Sequence, residues 1–176
     1  MTKTQLRIAA GCLWLMALIA PASARSESTD ALLVARVVQT IQHDSQFGMF
    51  DDVSISVEDR VVTLTGLVTR PNKKDDIGAR VSQIDGVRRL VNDLEVLPLS
   101  PSDDDLRIRV ARAIYNHPAF WQYASMAQPP IHILVSHGHV TLTGRVGTPL
   151  DRGLANALAQ VRGAFDVTND LKVDQP

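Results

Sequence analysis

The sequence predicts an α+β fold: two copies of a small α-β-β-α-β unit, each a three-stranded mixed sheet covered on one face by two helices. Three observations carry this. The chain is written twice, with about 73 to 78 residues between equivalent positions. Each copy opens and later continues with apolar residues at helical spacing. Between and after those stretches, apolar residues alternate with polar ones at the period of a strand.

The first block aligns Leu33, Val37, Ile41 and Phe47 with Leu106, Val110, Ile114 and Phe120. The first three of each set recur at i, i+4 and i+8, one face of a helix. Asp30 and Asp103 to Asp105 are expected at the helix starts, where short acidic side chains cap free N–H groups and suit the dipole. The second block aligns Val57 to Val68 with Val135 to Val146. Val53, Ile55, Val57, Val62, Leu64 and Val68 share a face, as do Ile131, Ile133, Val135, Val140, Leu142 and Val146, so each copy reads as a hairpin buried on one side. His137-Gly138 supplies a tight two-residue turn, whereas Asp59-Arg60 predicts a wider loop. Gly66 and Gly144 fall at inward-facing positions, where a missing side chain points to a close backbone or helix approach.

The third block aligns Ile77, Val81 and Ile84 with Leu154, Leu158 and Val161, then Gly86 with Gly163, then Leu90 to Val96 with Val167 to Val173. This is helix, glycine stop, strand. The helix between strands two and three predicts a crossover back into the same sheet. Residues 98–101, Pro98-Leu99-Ser100-Pro101, have the composition of a short stiff linker, which divides a first domain at 28–97 from a second at 102–174. A unit of about 70 residues without disulfide or metal buries a small core, so the two copies are expected to pack on each other.

Residues 1–24 read as a secretory signal. Lys3 and Arg7 form the basic region, Ile8 to Ala20 the apolar stretch, and Ala22-Ser23-Ala24 the cleavage site. That stretch is shorter than the roughly 20 apolar residues of a membrane span. Cys12 is the one cysteine and leaves with the signal, so no disulfide, thiol nucleophile or thiolate metal site is expected. Removal of Lys3 and Arg7 leaves sixteen basic against nineteen acidic residues, a charge of −3 that disfavours nucleic-acid binding.

At these blocks the sequence resembles the BON family (bacterial OsmY and nodulation domain). The second copy carries Val135, Gly138, Val140-Thr141-Leu142, Gly144, Val146, and then Val167, Asn169, Leu171 and Val173. The first carries Val61-Val62-Thr63-Leu64-Thr65-Gly66 and Gly86-Val87-Arg88-Arg89-Leu90-Val91-Asn92-Asp93-Leu94, departing at Arg60, where the family favours glycine. A signal followed by two such domains is similar to the layout of the hyperosmotically inducible periplasmic proteins. The resemblance implies a non-catalytic periplasmic protein without cofactor, associated with anionic phospholipid or membrane surfaces, osmotic-stress resistance and outer-membrane integrity. It makes Gly66, Gly86, Gly138, Gly144, Gly163, Asn92 and Asn169 structural positions. In relatives anchored as lipoproteins, lipid binding is attributed to the second domain around its first helix.

The equivalent region is Asp103 to Tyr123, and its lipid candidates are Arg109, Arg112, Trp121 and Tyr123. Arginine pairs with phosphate, and Trp and Tyr favour the headgroup zone. A plainer reading stands beside this: Arg109 and Arg112 lie opposite the Leu106, Val110, Ile114 stripe, as any solvated helix face does, and Asp103 to Asp105 repel anionic lipid. His132 and His139 cannot share an ion, because hairpin pairing separates them by about four residues at roughly 3.3 Å each, and His137 with His139 offers only a loose two-ligand surface site, short of the three or four protein ligands of a zinc site. Asp103 to Asp105 lack the ligand spacing of a calcium loop, and no nucleophile elbow, phosphate loop or H-E-x-x-H motif occurs. The alternative function is a protein-interaction or chaperone-like periplasmic module, holding a partner at sheet edges or at Phe120 to Tyr123.

Overall fold

A computed structural model describes residues 22–44 and 46–174. Most of the expected signal, residues 1–21, lies outside the described residues. Helix α1 (Ala22–Gln42) is followed by strands β1 (Asp52–Glu58) and β2 (Val61–Val68), helix α2 (Pro71–Ser82) and strand β3 (Arg89–Val96). The second copy runs α3 (Pro101–Tyr115), a 3-10 turn (Pro118–Phe120), the short α4 (Trp121–Ala124), β4 (Ile131–Ser136), β5 (His139–Val146), α5 (Pro149–Ala159), β6 (Asp166–Asn169) and β7 (Lys172–Val173). Among the described residues no helix is long and apolar enough to cross a membrane.

In the first sheet the order is β1-β2-β3, with β1 antiparallel and β3 parallel to β2. Ile55 faces Leu64 across the hairpin and Leu64 faces Asn92 across the parallel pair. The second sheet repeats this register, with Ile133 opposite Leu142 and Leu142 opposite Asn169. Its third strand is interrupted at Asp170-Leu171, yet β7 keeps the same offset from β5, so β6 and β7 are two stretches of one strand. Each unit is therefore an α+β layer pair of three strands and two main helices.

The first core joins Leu33, Val37 and Ile41 to Val62, Leu64 and Val68, closed by Ile77, Val81 and Leu94. The second joins Leu106, Val110 and Ile114 to both strands of its hairpin, and adds Phe120 and Tyr123 from the longer connection after α3. Full burial of each aliphatic side chain contributes about 1.5–3 kcal/mol, which is what holds these small units without a cross-link.

Three expectations change at this level. Helix α1 begins at Ala22, so Asp30 lies inside it, and Pro101 belongs to α3, whose cap is the Ser100 hydroxyl accepting from the Asp103 N–H. The Asp59-Arg60 loop is no wider than its counterpart: Glu58 pairs with Val61, and both turn residues take positive φ, 48° and 63°. The physical reason is Asp30. Its carboxylate accepts from the N–H groups of Asp59 (2.9 Å) and Arg60 (3.0 Å), holding a left-handed turn without glycine. Asp103 does the same for His137 and Gly138, both at 2.9 Å.

The close approach at Gly66 and Gly144 is to backbone. A Cβ on Gly144 would run into the Pro130 carbonyl, and one on Gly66 into that of Asp52. All five glycines of the repeat have positive φ. The two units touch through the loop after α1. The Met49 carbonyl accepts from the Ile133 N–H at 2.7 Å, on the edge of β4 away from β5, while Met49 and Phe50 pack against the second core. The Phe47 ring lies 5.8 Å from that of His132. That loop is held from within by Asp51, fully buried, which accepts from Gly48 N–H, from the Thr69 N–H and hydroxyl, and from Lys73 at 2.6 Å.

Candidate functional site

Helix α3 turns Leu106, Val110 and Ile114 inward, which leaves Arg109 and Arg112 one turn apart on the exposed face. Among the described residues neither arginine makes an ion pair. Their backgrounds differ. Arg109 repeats Arg36, which donates to the Asp85 carbonyl at 3.1 Å, and the Arg109 guanidinium likewise lies against the turn at Gly163. Arg112 stands where the first copy has Gln39, and its place in the last turn also suits the helix dipole.

Trp121 is 62% exposed, and its indole N–H donates to the Asn116 carbonyl at 3.2 Å. Asn116 caps α3 and donates its N–H to the Arg112 carbonyl, so Arg112 and Trp121 sit at one end of the helix, with Met126 also exposed nearby in sequence. Tyr123 is not at that surface. It is 8% exposed, packs 6.0 Å from the Phe120 ring, and its hydroxyl accepts from the Gly147 N–H at 2.9 Å. The correction has a clear origin in the repeat: Gly147 corresponds to Thr69, whose N–H is satisfied by Asp51. Lacking that carboxylate, the second copy fills the same need with a tyrosine from the interior.

The acidic run ahead of these arginines is less exposed than its composition implies. Asp103 is buried on the hairpin turn, Asp104 pairs with the buried Arg107, and Asp105 remains exposed. Arg107 also donates to the Val135 carbonyl at 2.9 Å, so it serves the fold. Asn92 and Asn169 tie the third strand to the second helix of each unit, donating to the Lys74 and Arg152 carbonyls at 3.0 and 2.9 Å. The turn-holding role of Asp30 and Asp103 was missed from the sequence. Its signal is an aspartate three residues before the first core leucine in both copies.

The histidines are dispersed. His132 faces Thr143 across the hairpin, His139 pairs with Asp166 at 2.6 Å, and His137 meets the Ser136 hydroxyl at 3.1 Å. Among the described residues no group of three His, Cys, Asp or Glu side chains is placed to hold a metal. Tyr115 donates to the Ile131 carbonyl at 2.6 Å, and burial pushes its phenol well above the usual tyrosine range. This bond fixes the start of β4 to the end of α3.

The BON domain family matches residues 29–98 and 102–175. No curated protein matches the sequence. Solved structures that match include the C-terminal domain of CdsD, the structural protein of the type III secretion system of Chlamydia trachomatis. It is 12% identical, with 85% of this chain and 67% of that one covered and a TM-score of 0.32. A second structure of CdsD is 14% identical, with coverage of 80% and 94% and a TM-score of 0.28. Scores this low carry no argument about function.

Proposed function

Because the chain belongs to the BON domain family, with two copies between residues 29 and 175, we propose that it is a non-catalytic periplasmic protein that associates with anionic phospholipid surfaces through its second domain. BON domains bind membranes or phospholipids in general, and the family is generally non-catalytic. The reading adds export by the signal at residues 1–24 and a role in envelope integrity or osmotic-stress resistance.

The observation that carries it is the outward side of α3: Arg109 and Arg112 exposed and, among the described residues, without ion pairs, and Trp121 held at the Arg112 end of the helix by Asn116. An indole fixed at its N–H yet 62% exposed presents an apolar face where headgroup meets acyl chain. Each arginine near an anionic surface contributes about 1 kcal/mol. Three elements form the candidate surface: Arg109, Arg112 and Trp121, with Tyr123 removed by burial.

Flotation of residues 25–176 with zwitterionic and anionic liposomes at low and moderate salt tests the reading. Binding to the anionic set alone, weakening as salt rises, is expected, since exposed charges are screened over about 8–10 Å at physiological ionic strength. Binding to neither set would overturn it in favour of a protein partner at the same domain.

A further inference from the structure

We propose that the cleft between the two domains binds a single-chain amphiphile with one anionic headgroup, a phosphate or carboxylate on an alkyl tail. The cleft encloses about 610 Å³ and draws its walls from both units: Arg70 and Lys73 at the start of α2, Phe50 from the loop after α1, Leu99 from the linker, and Arg107 and Ile108 from α3. That volume falls within the range of about 300–1,000 Å³ typical of small-molecule sites.

Charge selects an anion. Lys73 is spent on Asp51 and Arg107 on Asp104, whereas Arg70 is exposed and, among the described residues, makes no ion pair. The balance at the cleft is one positive charge. Arg107 is 4% exposed and its Nε has no hydrogen-bond partner, so one donor behind that wall is unmet, while the net positive charge at the cleft is that of Arg70. The apolar side is as distinct. Leu99 is 79% exposed and Ile108 41% exposed, two aliphatic side chains lining one concavity, one from the linker and one from α3. Inorganic phosphate leaves them uncovered, and an alkyl tail buries them.

The chemistry belongs to this cleft and not to the shared repeat. Arg107 and Ile108 stand where the first copy has Val34 and Ala35. The cleft is also separate from the membrane surface proposed above, which uses Arg109, Arg112 and Trp121. It takes one detached molecule in a concavity instead of a bilayer face.

The test is calorimetric titration of the full chain with dodecyl phosphate below its micelle concentration, with dodecyl maltoside and inorganic phosphate as the neutral and tail-less arms and dodecanoate as the carboxylate arm. Saturable one-to-one binding of both anionic amphiphiles is expected, with neither control saturating. Arg70→Glu should weaken it by more than tenfold, Leu99→Ser and Ile108→Ser several-fold, and Arg109→Ala with Arg112→Ala not at all. Equal binding by the maltoside, full affinity in Arg70→Glu, or no saturable heat would overturn the proposal. Liposome flotation of the same variants separates the two sites: loss of dodecyl phosphate binding with flotation intact removes the cleft alone, and the converse removes the membrane surface alone.

Discussion

Asp103→Ala should destabilise the second domain far more than Asp30→Ala destabilises the first, although the two aspartates do the same job. Asp103 is 3% exposed and accepts one N–H on each oxygen, from His137 and Gly138, at 2.9 Å. The Gly138 bond is buried, so stranding that donor costs about 1–3 kcal/mol, while the part-buried His137 donor recovers water and costs about 0.5–1.5 kcal/mol. Together they come to about 1.5–4.5 kcal/mol. Asp30 makes its two bonds in solvent-exposed surroundings, so removing it should cost about 0.5–1.5 kcal/mol in all. Asp103→Asn should be nearly as harmful as alanine, because the amide NH2 would face an N–H in place of an acceptor oxygen. Urea denaturation of residues 25–176 reads this when followed by two signals: Trp121, then the one tryptophan, reports on the second domain, and far-ultraviolet circular dichroism reports on both. An Asp103→Ala variant within about 0.5 kcal/mol of the parent, or an Asp30→Ala variant equally destabilised, would refute the reasoning.

Other consequences follow from the same packing. Tyr115 holds its proton in the folded state, so above about pH 10 the unfolded chain binds fewer protons than the native one and stability falls as pH rises. Urea midpoints measured upward from that pH should show this slope, and Tyr115→Phe should flatten it while costing about 1–2 kcal/mol for the lost bond to Ile131. Lys73→Met leaves the fully buried Asp51 carboxylate with three donors but no cation, and should cost about 2–4 kcal/mol by denaturation. Gly144→Ala meets the Pro130 carbonyl at a φ of 103° and should cost more than about 3 kcal/mol, whereas Gly153→Ala, exposed in α5 with open space around it, should stabilise by about 0.5–1 kcal/mol; thermal melts of the pair check both signs.

The fold was legible because its pattern is local and written twice. Leu33, Val37 and Ile41 need no partner to announce a helix face, and the hairpin alternation around Val62 and Leu64 announces its buried side at once. The helix starts at Ala22 and Pro101 are local misreadings, whereas those at the first turn and at Tyr123 depend on residues far apart in the chain. Asp59-Arg60 looks like a poor tight turn until Asp30, about 30 residues earlier, is known to hold it. Tyr123 follows a helix beside an exposed Trp121, which suits a surface, and only its bond to Gly147 reveals the interior. Arg109 and Arg112 were correctly expected on the outward face of α3, since the stripe of Leu106, Val110 and Ile114 dictates it. The cleft at Arg70, Leu99 and Ile108 has no sequence signal at all, because it exists only where the two units meet.

The membrane reading is tested most directly by the emission of Trp121 in residues 25–176 as anionic vesicles are added, with Arg109→Ala, Arg112→Ala as the comparison. A blue shift on anionic but not zwitterionic vesicles is predicted, reversed by salt, with the double variant's partition coefficient about thirtyfold lower, the equivalent of about 1 kcal/mol for each arginine. An unshifted Trp121 in the presence of saturating anionic vesicles, or a double variant that partitions as well as the parent, would contradict it.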